Sequence, residues 1–427
     1  METRSRKFFI SDQSASELTC DIARAFAAAG DDVCIVSGRE LPALAGTPIR
    51  TAHVCAYERS SFPRRIATWL AGTWGIFRVF RKNPDAELLI ISNPPPAPIL
   101  PLFLENKFSL LLWDVWPDAL VHTRTLSPRH PIVRFWEFLN RRAFRRAEKI
   151  FAIGESQADA LARYAPREKI VVIPVWANTE FLKPLPKSEN LFLREHDLTG
   201  KFVVMYSGNI GNTHPVEKLV DIAAELREHT DIAFVIVGDG GKRETVRRRI
   251  EETGVKNVSL LPFEPRERLP HSLAAPDIGV VTLEEAASQV SVPSKTYSML
   301  ATGTPLLCLA GAQSELAALV HKFGVGEIFA PADTKAAAAW ILSLKNDAQA
   351  HAAMRKRTRE TSLLFTPKNA EKYVAALRGK TVPLDKGERA RACAGRESTE
   401  TVSPADSAQI RSPQDAGVHA GKGEKIS

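Results

Sequence analysis

The chain has 427 residues, of which 44% are hydrophobic, and this content is sufficient for the cores of two domains of ordinary size. Its formal charge of +8 is compatible with anionic partners such as nucleotides or lipid head groups, but it does not indicate nucleic-acid binding. Its five cysteines have irregular spacings without a metal-ligand pattern, which is typical of reduced thiols in a reducing compartment.

The chain shows neither a membrane span nor a leader segment. No run of about eighteen uncharged apolar residues occurs, so we predict no transmembrane helix. The N-terminal residues pass directly into a strand-like segment, without the apolar region of a signal peptide. We therefore expect a cytoplasmic protein.

The first half of the chain alternates strands and helices in the manner of a parallel sheet. A strand at 8–11 is followed by a polar loop at 12–16, a helix that ends before Gly30, and a strand at 32–37. Right-handed crossovers place the carboxyl ends of such strands at one edge, where ligands of parallel sheets bind. The loop after the first strand is therefore expected to face a cleft. Further strands are predicted at 87–91, 109–113, 150–153 and 170–174.

Several polar side chains follow these strands. Asp114 ends the strand at 109–113, in the run Trp-Asp-Val-Trp-Pro-Asp, and a carboxylate there is costly unless it is paired or functional. Asp118, in the same run, is either a second cleft acid or a helix cap. Glu155 and Ser156 are expected to cap a helix that begins near Gln157. The first-half candidates for the cleft are Asp12, Gln13, Ser14, Asn93, Asp114, Asp118 and Glu155.

Two segments of the first half, 62–82 and 132–149, are basic and amphipathic. The first has five Lys or Arg residues and no acid, with two tryptophans on its apolar face. Such a helix suits the surface of an anionic membrane. The alternative is that the apolar face packs on the sheet and the arginines are merely solvated, and Gly72 and Gly75 weaken the helix prediction. Two such segments in one half favour the membrane interpretation.

The strand–helix alternation restarts after a connector at 178–201 with several polar breaks. A strand at 202–206 leads into the loop Ser-Gly-Asn-Ile-Gly-Asn, and Gly208 and Gly211 in that loop would let backbone N–H groups approach a diphosphate. The later segments predict a second doubly wound sheet. They are a helix at 215–228, strands at 233–237, 258–261 and 278–282, a turn at 238–241, and a charged helix that ends at 253.

The stretch 291–305, Ser-Val-Pro-Ser-Lys-Thr-Tyr-Ser-Met-Leu-Ala-Thr-Gly-Thr-Pro, is the one around which the second half is organised. Ser294 is a predicted N-cap, Lys295 lies in the first helical turn, and Gly303 ends the helix before an apolar strand at 305–310. A polar loop that leads into a helix start with one lysine is the outline of an anion site. The alternative is an ordinary loop–helix–strand step. The residues 380–427 lack aromatic side chains, and we predict that they are disordered.

This stretch resembles the donor-binding segment of family 4 glycosyltransferases, the retaining sugar-nucleotide enzymes of GT-B fold. It is most similar to the bacterial surface-polysaccharide branch that carries Val-Pro-Ser-Lys followed by Tyr, Leu-Ala, Gly and Pro. The resemblance covers about 8–377 and implies an α/β protein in which two Rossmann-like domains face each other across a cleft. The implied parts are a first domain at 1–180, a connector at 181–201, a second domain at 202–362, a C-terminal helix at 363–379 that packs back toward the first domain, and a tail at 380–427.

The resemblance also implies an activity. A sugar would move, with retention, from a nucleotide-sugar donor, with UDP as the nucleotide, to a carbohydrate or polyprenyl-linked acceptor in surface polysaccharide assembly. The Asp-x-Asp motif of metal-dependent sugar transferases does not occur, so a metal-independent mechanism without a cofactor fits better. Zinc-site, hydrolase-elbow and Walker patterns do not occur either. Two alternatives remain open, a sugar-nucleotide epimerase of the same fold and a non-catalytic sugar-nucleotide-binding protein.

The family roles can be placed on this sequence residue by residue. The implied catalytic residues are Asp114 and Lys295. The implied donor-binding residues are Gly208, Asn209, Gly211, Phe263, Pro293, Ser294, Lys295, Thr296 and Ser298. The implied acceptor side of the cleft contains Asp12, Gln13, Ser14, Asn93, Asp118 and Glu155. The turn at 238–241 lies where the family holds the nucleotide base, but a simple turn is the preferred interpretation.

The chain departs from the family pattern at two places. Many members carry two glutamates separated by seven residues, and here Val290 and Ser298 occupy those positions. Many members also carry an arginine and a lysine in the glycine loop, whereas here Asn209 occupies the arginine position and Lys218 lies farther along the helix. Both departures affect the identity of the donor more than the fold, and they leave Lys295 as the main positive charge for a diphosphate.

Overall fold

The computed structural model describes residues 5–58, 60–123, 125–211, 213–284 and 293–378, and these belong to one compact unit. Val290 and the predicted tail at 380–427 lie outside the described residues. Within the described ranges, no helix is both long and apolar enough to cross a membrane.

The first half contains a seven-stranded parallel sheet in the order β3-β2-β1-β4-β5-β6-β7. Its strands are β1 (Lys7–Ser11), β2 (Asp32–Ser37), β3 (Arg50–His53), β4 (Glu87–Ile91), β5 (Phe108–Leu111), β6 (Ile150–Ala152) and β7 (Ile170–Val172). Its helices are α1 (Glu17–Ala28), α2 (Phe62–Arg81), α3 (Asp118–His122), α4 (Pro131–Arg146) and α5 (Glu155–Leu161). The sequence did not predict β3, because this edge strand is largely exposed and has no apolar pattern.

The central strands are buried on both faces, as the near-continuous apolar runs of the sequence predict. Phe8 of β1 and Phe26 of α1 stack with their ring centroids 3.9 Å apart, which fixes α1 against the sheet. The basic helix α2 is continuous through Gly72 and Gly75. A Cβ atom at Gly72 would lie 2.2 Å from Nε2 of Gln13, so the glycine lets this side chain pack against the helix backbone.

The second half contains a six-stranded parallel sheet in the order β10-β9-β8-β11-β12-β13. Its strands are β8 (Phe202–Ser207), β9 (Ile232–Val237), β10 (Val258–Leu261), β11 (Ile278–Thr282), β12 (Leu306–Leu309) and β13 (Gly326–Phe329). The helices after β7 are α6 (Leu191–Glu195), α7 (Glu217–Glu225), α8 (Arg243–Thr253), α9 (Leu269–Leu273), α10 (Lys295–Ala301), α11 (Glu315–Phe323), α12 (Thr334–Asn346), α13 (Ala348–Ser362) and α14 (Ala370–Leu377). The edge strand β13 and the short helix α6 within the connector were not predicted.

Each sheet has one point at which the strand order reverses. In the first sheet it lies between β1 and β4, and in the second between β8 and β11. Ligands of doubly wound sheets bind at the carboxyl ends of the strands beside such a point. The loops that follow these four strands therefore form the part of the molecule where a ligand is expected.

The last described helix, α14, packs on the first half of the chain. It lies against α1, and the Tyr373 ring is 4.7 Å from that of Phe151 in β6. The guanidinium group of Arg378 pairs with the buried carboxylate of Asp31. In α13, Arg359 donates to the carbonyl oxygens of Thr179 and Ala301, so one side chain joins the connector to the end of α10.

Candidate functional site

A cavity of about 670 Å³ is lined by both halves of the chain, at the carboxyl ends of their strands. It brings together eight residues that the sequence predicted, one from the first half and seven from the second. They are Asp114, Gly208, Asn209, Phe263, Pro293, Ser294, Lys295 and Ser298. The predicted residues Gly211 and Thr296 do not line it.

The amine of Lys295 is buried at the wall of this cavity. Its Nζ atom lies 3.7 Å from the centroid of the Tyr206 ring and forms no hydrogen bond within the described residues. Burial lowers the pKa of Lys295 to about 7, because the charged form loses hydration that no carboxylate replaces. Lys295 is therefore not a solvent-facing lysine at a helix start. Lys295 is an uncompensated base that faces the glycine loop.

The turn at 238–241 packs tightly against the glycine loop after β8. A Cβ atom at Gly238 would lie 2.0 Å from the carbonyl oxygen of Gly208, and both residues have φ angles near 145°, at +148° and +143°. The backbone N–H of Ile210 donates to Asp239 across the same contact, at 2.8 Å. The turn therefore supports the loop. At Gly208 itself, a Cβ atom would lie 3.0 Å from Nζ of Lys295, so this glycine lets the amine approach the loop backbone.

The start of α10 differs from the prediction in one respect. Ser294 is the N-cap residue of α10, as predicted, but it has helical backbone angles and its side chain accepts no capping hydrogen bond. Its exposed side chain lines the cavity instead. Thr296 is buried behind the cavity wall, and Gly211 leaves room for the Asn209 side chain, whose Nδ2 would lie 2.6 Å from a Cβ atom there. Lys218 pairs with Asp221 at 3.0 Å and does not line the cavity.

His214 lines the cavity beside Lys295 and was not predicted from the sequence. Its Nδ1 atom lies 2.6 Å from the carbonyl oxygen of Thr282, and because a carbonyl only accepts, Nδ1 carries the proton. Burial and the charge of Lys295 lower the pKa of His214 to about 4. The ring is therefore neutral near pH 7, with Nε2 as an acceptor. No sequence signal marks it, since its position depends on a carbonyl in β11.

Asp114 is contributed by the first half and lines the same cavity as the second-half candidates. Water in the open cleft reaches its side chain, but surrounding protein atoms still displace enough solvent to raise the pKa of Asp114. Its backbone N–H donates to Oγ of Ser92 at 3.2 Å, which fixes the chain at the end of β5 beside β4. Its carboxylate forms no ion pair within the described residues.

Four other first-half candidates form one cluster at the reversal point of the first sheet. Asp12 is buried and accepts hydrogen bonds from Thr19, Ser14 and Asn93, at 2.6, 3.1 and 3.0 Å. Burial raises its pKa in spite of these bonds. Gln13 is buried and donates to the carbonyl oxygens of Cys55 and Thr68. These residues do not line the 670 Å³ cavity, and their contacts brace the loop after β1.

Asp118 and Glu155 point elsewhere. Asp118 is buried in the first turn of α3, where it accepts from the Tyr164 hydroxyl at 2.8 Å and pairs with Arg163. Glu155 is the first residue of α5, and its carboxylate pairs with Arg167 at 2.8 Å. The prediction that Glu155 and Ser156 precede and cap a helix starting near Gln157 is wrong. The carboxylate at that helix start comes from Glu315 of the second half.

A second cavity of about 760 Å³ adjoins the first and shares Leu269, Leu273, Ser294 and Ser298 with it. An ion pair between Glu17 of α1 and Arg266 of the second half, at 2.7 Å, lies in its wall. Among the described residues, no group of His, Cys, Asp and Glu is arranged so as to hold a metal ion.

The two basic segments form α2 and α4, and both expose large apolar side chains to solvent. Both helices contact the 3-10 segment Ala97–Phe103, so the exposed groups lie on neighbouring elements. We call this surface the aromatic-basic face and define its apolar members as Phe62, Leu70, Trp74, Phe103, Ile132, Phe135 and Phe138. Arginines lie over two of its rings, Arg65 over Phe62 and Arg142 over Phe138.

Comparison with known families agrees with this architecture. Residues 15–176 match the family model described as glycosyl transferase 4-like domain, and residues 189–361 match the model described as glycosyl transferases group 1. The probable glycosyltransferase WbjE of Pseudomonas aeruginosa is 27% identical over 261 residues, which cover 59% of this chain and 65% of WbjE. The alignment thus spans slightly less than two thirds of that relative.

Solved structures show the same fold. HepE of Anabaena, solved in complex with UDP and glucose, superposes with a TM-score of 0.69 at 16% identity, over 88% of this chain and 99% of HepE. WaaG, a glycosyltransferase involved in lipopolysaccharide biosynthesis, superposes with a TM-score of 0.63 at 16% identity, over 86% of this chain and 99% of WaaG. The chain therefore has the GT-B fold, and its two halves match, in order, the glycosyl transferase 4-like and the glycosyl transferases group 1 family models.

Proposed function

We propose that this protein is a retaining glycosyltransferase that moves a sugar from a UDP-linked donor to a carbohydrate or polyprenyl-linked acceptor in surface polysaccharide biosynthesis. The observation that carries the proposal is the single cavity with the buried amine of Lys295 on one side and the carboxylate of Asp114 on the other. In this proposal the first domain, 1–180, provides the acceptor side, and the second, 202–362, binds the donor.

The donor's diphosphate is proposed to lie between the glycine loop and the start of α10. The backbone of Gly208 and the amine of Lys295 converge there, and Asn209 and Ser294 add neutral polar groups. Two similar structures support the choice of donor, since HepE was solved with UDP and also with UDP-glucose. Phe263 and Ser298 line the same cavity, where they would contact the nucleoside.

The chemistry follows from the charge that develops when the glycosidic bond breaks. Negative charge grows on the leaving diphosphate, and a preorganised cation beside it stabilises the transition state more than the ground state. Lys295 supplies that cation without a metal ion. Asp114 is proposed to orient the acceptor hydroxyl or to stabilise positive charge on the sugar, and no covalent intermediate is assigned to it.

The acceptor and the location are proposed from the aromatic-basic face. Exposed aromatic rings beside arginines suit the interface of an anionic membrane, where the rings enter the head-group region and the cations remain near phosphate. The protein would thus bind peripherally to the inner face of the cytoplasmic membrane. A lipid-linked acceptor at that surface would reach the cavity from the side of the first domain, and the lipopolysaccharide role in the WaaG description is consistent with such a setting.

The test is a panel of nucleotide sugars (UDP-glucose, UDP-galactose, UDP-N-acetylglucosamine, GDP-mannose and dTDP-rhamnose), each measured for its effect on the melting temperature and for nucleotide diphosphate release with a lipid extract as acceptor. We expect a UDP sugar to raise the melting temperature and to release UDP only when extract is present. Conversion of the donor to its epimer without extract would favour the epimerase. Stabilisation without turnover on any extract would favour the non-catalytic binding protein. Ser298 supports this alternative, because many family members carry a glutamate at that position.

A further inference from the structure

Glu315 joins the two halves of the molecule at the corner between β6 and α5. Its Oε1 and Oε2 atoms accept hydrogen bonds from the backbone N–H groups of Glu155 and Ser156, at 3.1 and 2.8 Å. The two partners lie about 160 positions away along the chain. Glu315 is itself held firmly, because it is the first residue of α11, whose N-cap Ser314 accepts from Ala317 N–H at 3.0 Å.

The corner is shaped to receive this carboxylate. Gly154 has φ and ψ angles of −162° and 165°, an extended conformation that any residue adopts. Backbone geometry therefore gives no reason for glycine at this position. A Cβ atom there, however, would lie 2.7 Å from Cδ and 2.8 Å from Oε1 of Glu315. The absence of a side chain is what lets the carboxylate reach the two N–H groups.

The same corner is connected to Asp114. The side chain of the next residue, Gln157, is buried; its Oε1 accepts from the N–H of Ile153 at 2.9 Å, and its Nε2 contacts the carbonyl oxygen of Trp113 at 3.4 Å. Trp113 directly precedes Asp114. Glu315 itself belongs to the second half, as Lys295 does. Its hydrogen bonds therefore tie the half that carries Lys295 to the corner beside Asp114.

We propose that Glu315 is a positioning residue for the transfer reaction, which sets the carboxylate of Asp114 at its working distance across the cavity from the amine of Lys295. This inference rests on the proposed function. Glu315 does not line the donor cavity, so its effect is exerted through the Gly154–Gln157 corner. Donor binding should depend little on it, because its carboxylate contacts the first half, whereas the proposed donor-binding residues belong to the second. Turnover should depend on it strongly, since the reacting groups come from both halves and small misplacements are costly in rate.

The experiment compares wild type with Glu315→Ala, Gly154→Ala and the double variant. Three quantities are measured: amide hydrogen exchange of Glu155 and Ser156, the affinity for UDP, and turnover of the nucleotide sugar that is most active in the panel above. Asp347→Ala is the matched control, because Asp347 also accepts from a first-turn N–H, that of Ala350 at 2.8 Å, but within the second half alone.

We expect Glu315→Ala to accelerate exchange of the two amides, to leave UDP affinity within about twofold, and to lower turnover on the order of tenfold or more. Gly154→Ala should reproduce these effects by displacing the carboxylate. In the Glu315→Ala background it should add little, because the group it collides with has gone. Glu315→Gln keeps one acceptor and should retain intermediate turnover. Asp347→Ala should change neither turnover nor the exchange of the two amides.

Faster exchange with unchanged turnover in Glu315→Ala would overturn the inference, as would additive losses in the double variant. A fall in UDP affinity equal to the fall in turnover would overturn it too, because the effect would then lie in the donor site. Failure of the proposed function is seen separately and in the wild type, as absence of UDP binding and of turnover on every nucleotide sugar.

Discussion

The amine of Lys295 lies over the ring face of Tyr206, 3.7 Å from its centroid, and it forms no hydrogen bond to any acid among the described residues. One aromatic ring stabilises a buried cation less than full hydration in bulk water would. The charged amine is therefore poorly stabilised before a ligand binds. A diphosphate would supply the missing counter-charge.

Lys295→Ala and Lys295→Gln are expected to lower turnover on the order of a hundredfold, the usual cost of removing one contact to the charge that develops in the transition state. Release of UDP from the active nucleotide sugar measures this. Lys295→Arg should retain part of the rate, because it keeps a cation but not the compact amine. Lys218→Ala is the control, since that lysine pairs with Asp221 outside the cavity. Unchanged turnover and UDP binding in both neutral variants would remove Lys295 from the site.

Binding of UDP is expected to take up a proton at mildly alkaline pH. In the free protein the pKa of Lys295 is about 7, so at pH 8.5 the amine is mostly neutral. The negative diphosphate favours the charged amine and raises its pKa toward the ordinary range, so the complex holds more protons than its separate parts. The affinity for UDP should therefore fall as pH rises above about 7, the value below which the amine is already charged.

Calorimetry in two buffers of different ionisation enthalpy gives the proton count directly. Uptake should approach one proton at pH 8.5 in the wild type and should vanish in Lys295→Arg, whose guanidinium is charged throughout. His214→Asn separates the second base, because its amide can still donate to the Thr282 carbonyl while the titrating ring is gone. Zero uptake in the wild type with normal UDP binding would show that the bound diphosphate does not contact the amine.

Asp114→Asn is expected to lower turnover at least tenfold while leaving UDP affinity nearly intact, because all the residues that we propose to hold the nucleotide belong to the second half. Partial desolvation by the surrounding protein raises the pKa of Asp114, so a reaction that needs its carboxylate should lose rate on the acid side at a higher pH than an ordinary aspartate would impose. In Asp114→Asn, the dependence of turnover on pH at the acid side should differ from that of the wild type. A matching loss of stability to urea would instead identify a structural acid.

The sequence predicts the two sheets well because their central strands are apolar over their whole length, whatever the partner strand is. It misses β3, whose residues are mostly exposed, and β13, whose residues are all half-buried, since neither carries such a run. The glycine loop and the start of α10 were found because local chemistry marks them. The sequence identified Lys295 as a site candidate but did not predict its burial, since Tyr206 lies far away in sequence.

The misses at the site share a physical cause. The neutral state of His214 depends on a carbonyl in β11, and the carboxylate at the start of α5 comes from Glu315, about 160 positions later. Local pattern assigned that cap to Glu155 and Ser156, but Glu155 is the first helical residue and its carboxylate pairs with Arg167. Hydrophobic periodicity in one sequence predicts local structure, and it does not indicate which distant segments come into contact.

The aromatic-basic face exposes large apolar side chains of α2 and α4 to solvent. Trp74 and Phe135 are 60% and 63% exposed, although each is large and apolar. Transfer of such a ring to a membrane interface is favourable, and nearby arginines add attraction to anionic lipid that salt weakens. The wild type should therefore bind vesicles of phosphatidylglycerol and phosphatidylcholine at low ionic strength. Co-sedimentation across a salt series measures this, and vesicles of phosphatidylcholine alone should bind far less protein.

Trp74→Ala and Phe135→Ala should each weaken vesicle binding several-fold, in line with the apolar area that each ring would remove from water. Leu363→Ala is the matched control, because Leu363 is 56% exposed but lies at the end of α13 and belongs to neither basic helix. UDP binding should be unchanged in all three variants, because none of these side chains lines the donor cavity. If the wild type does not bind anionic vesicles at low salt, α2 and α4 are solvated surface helices. The proposal of a lipid-linked acceptor would then lose its structural support.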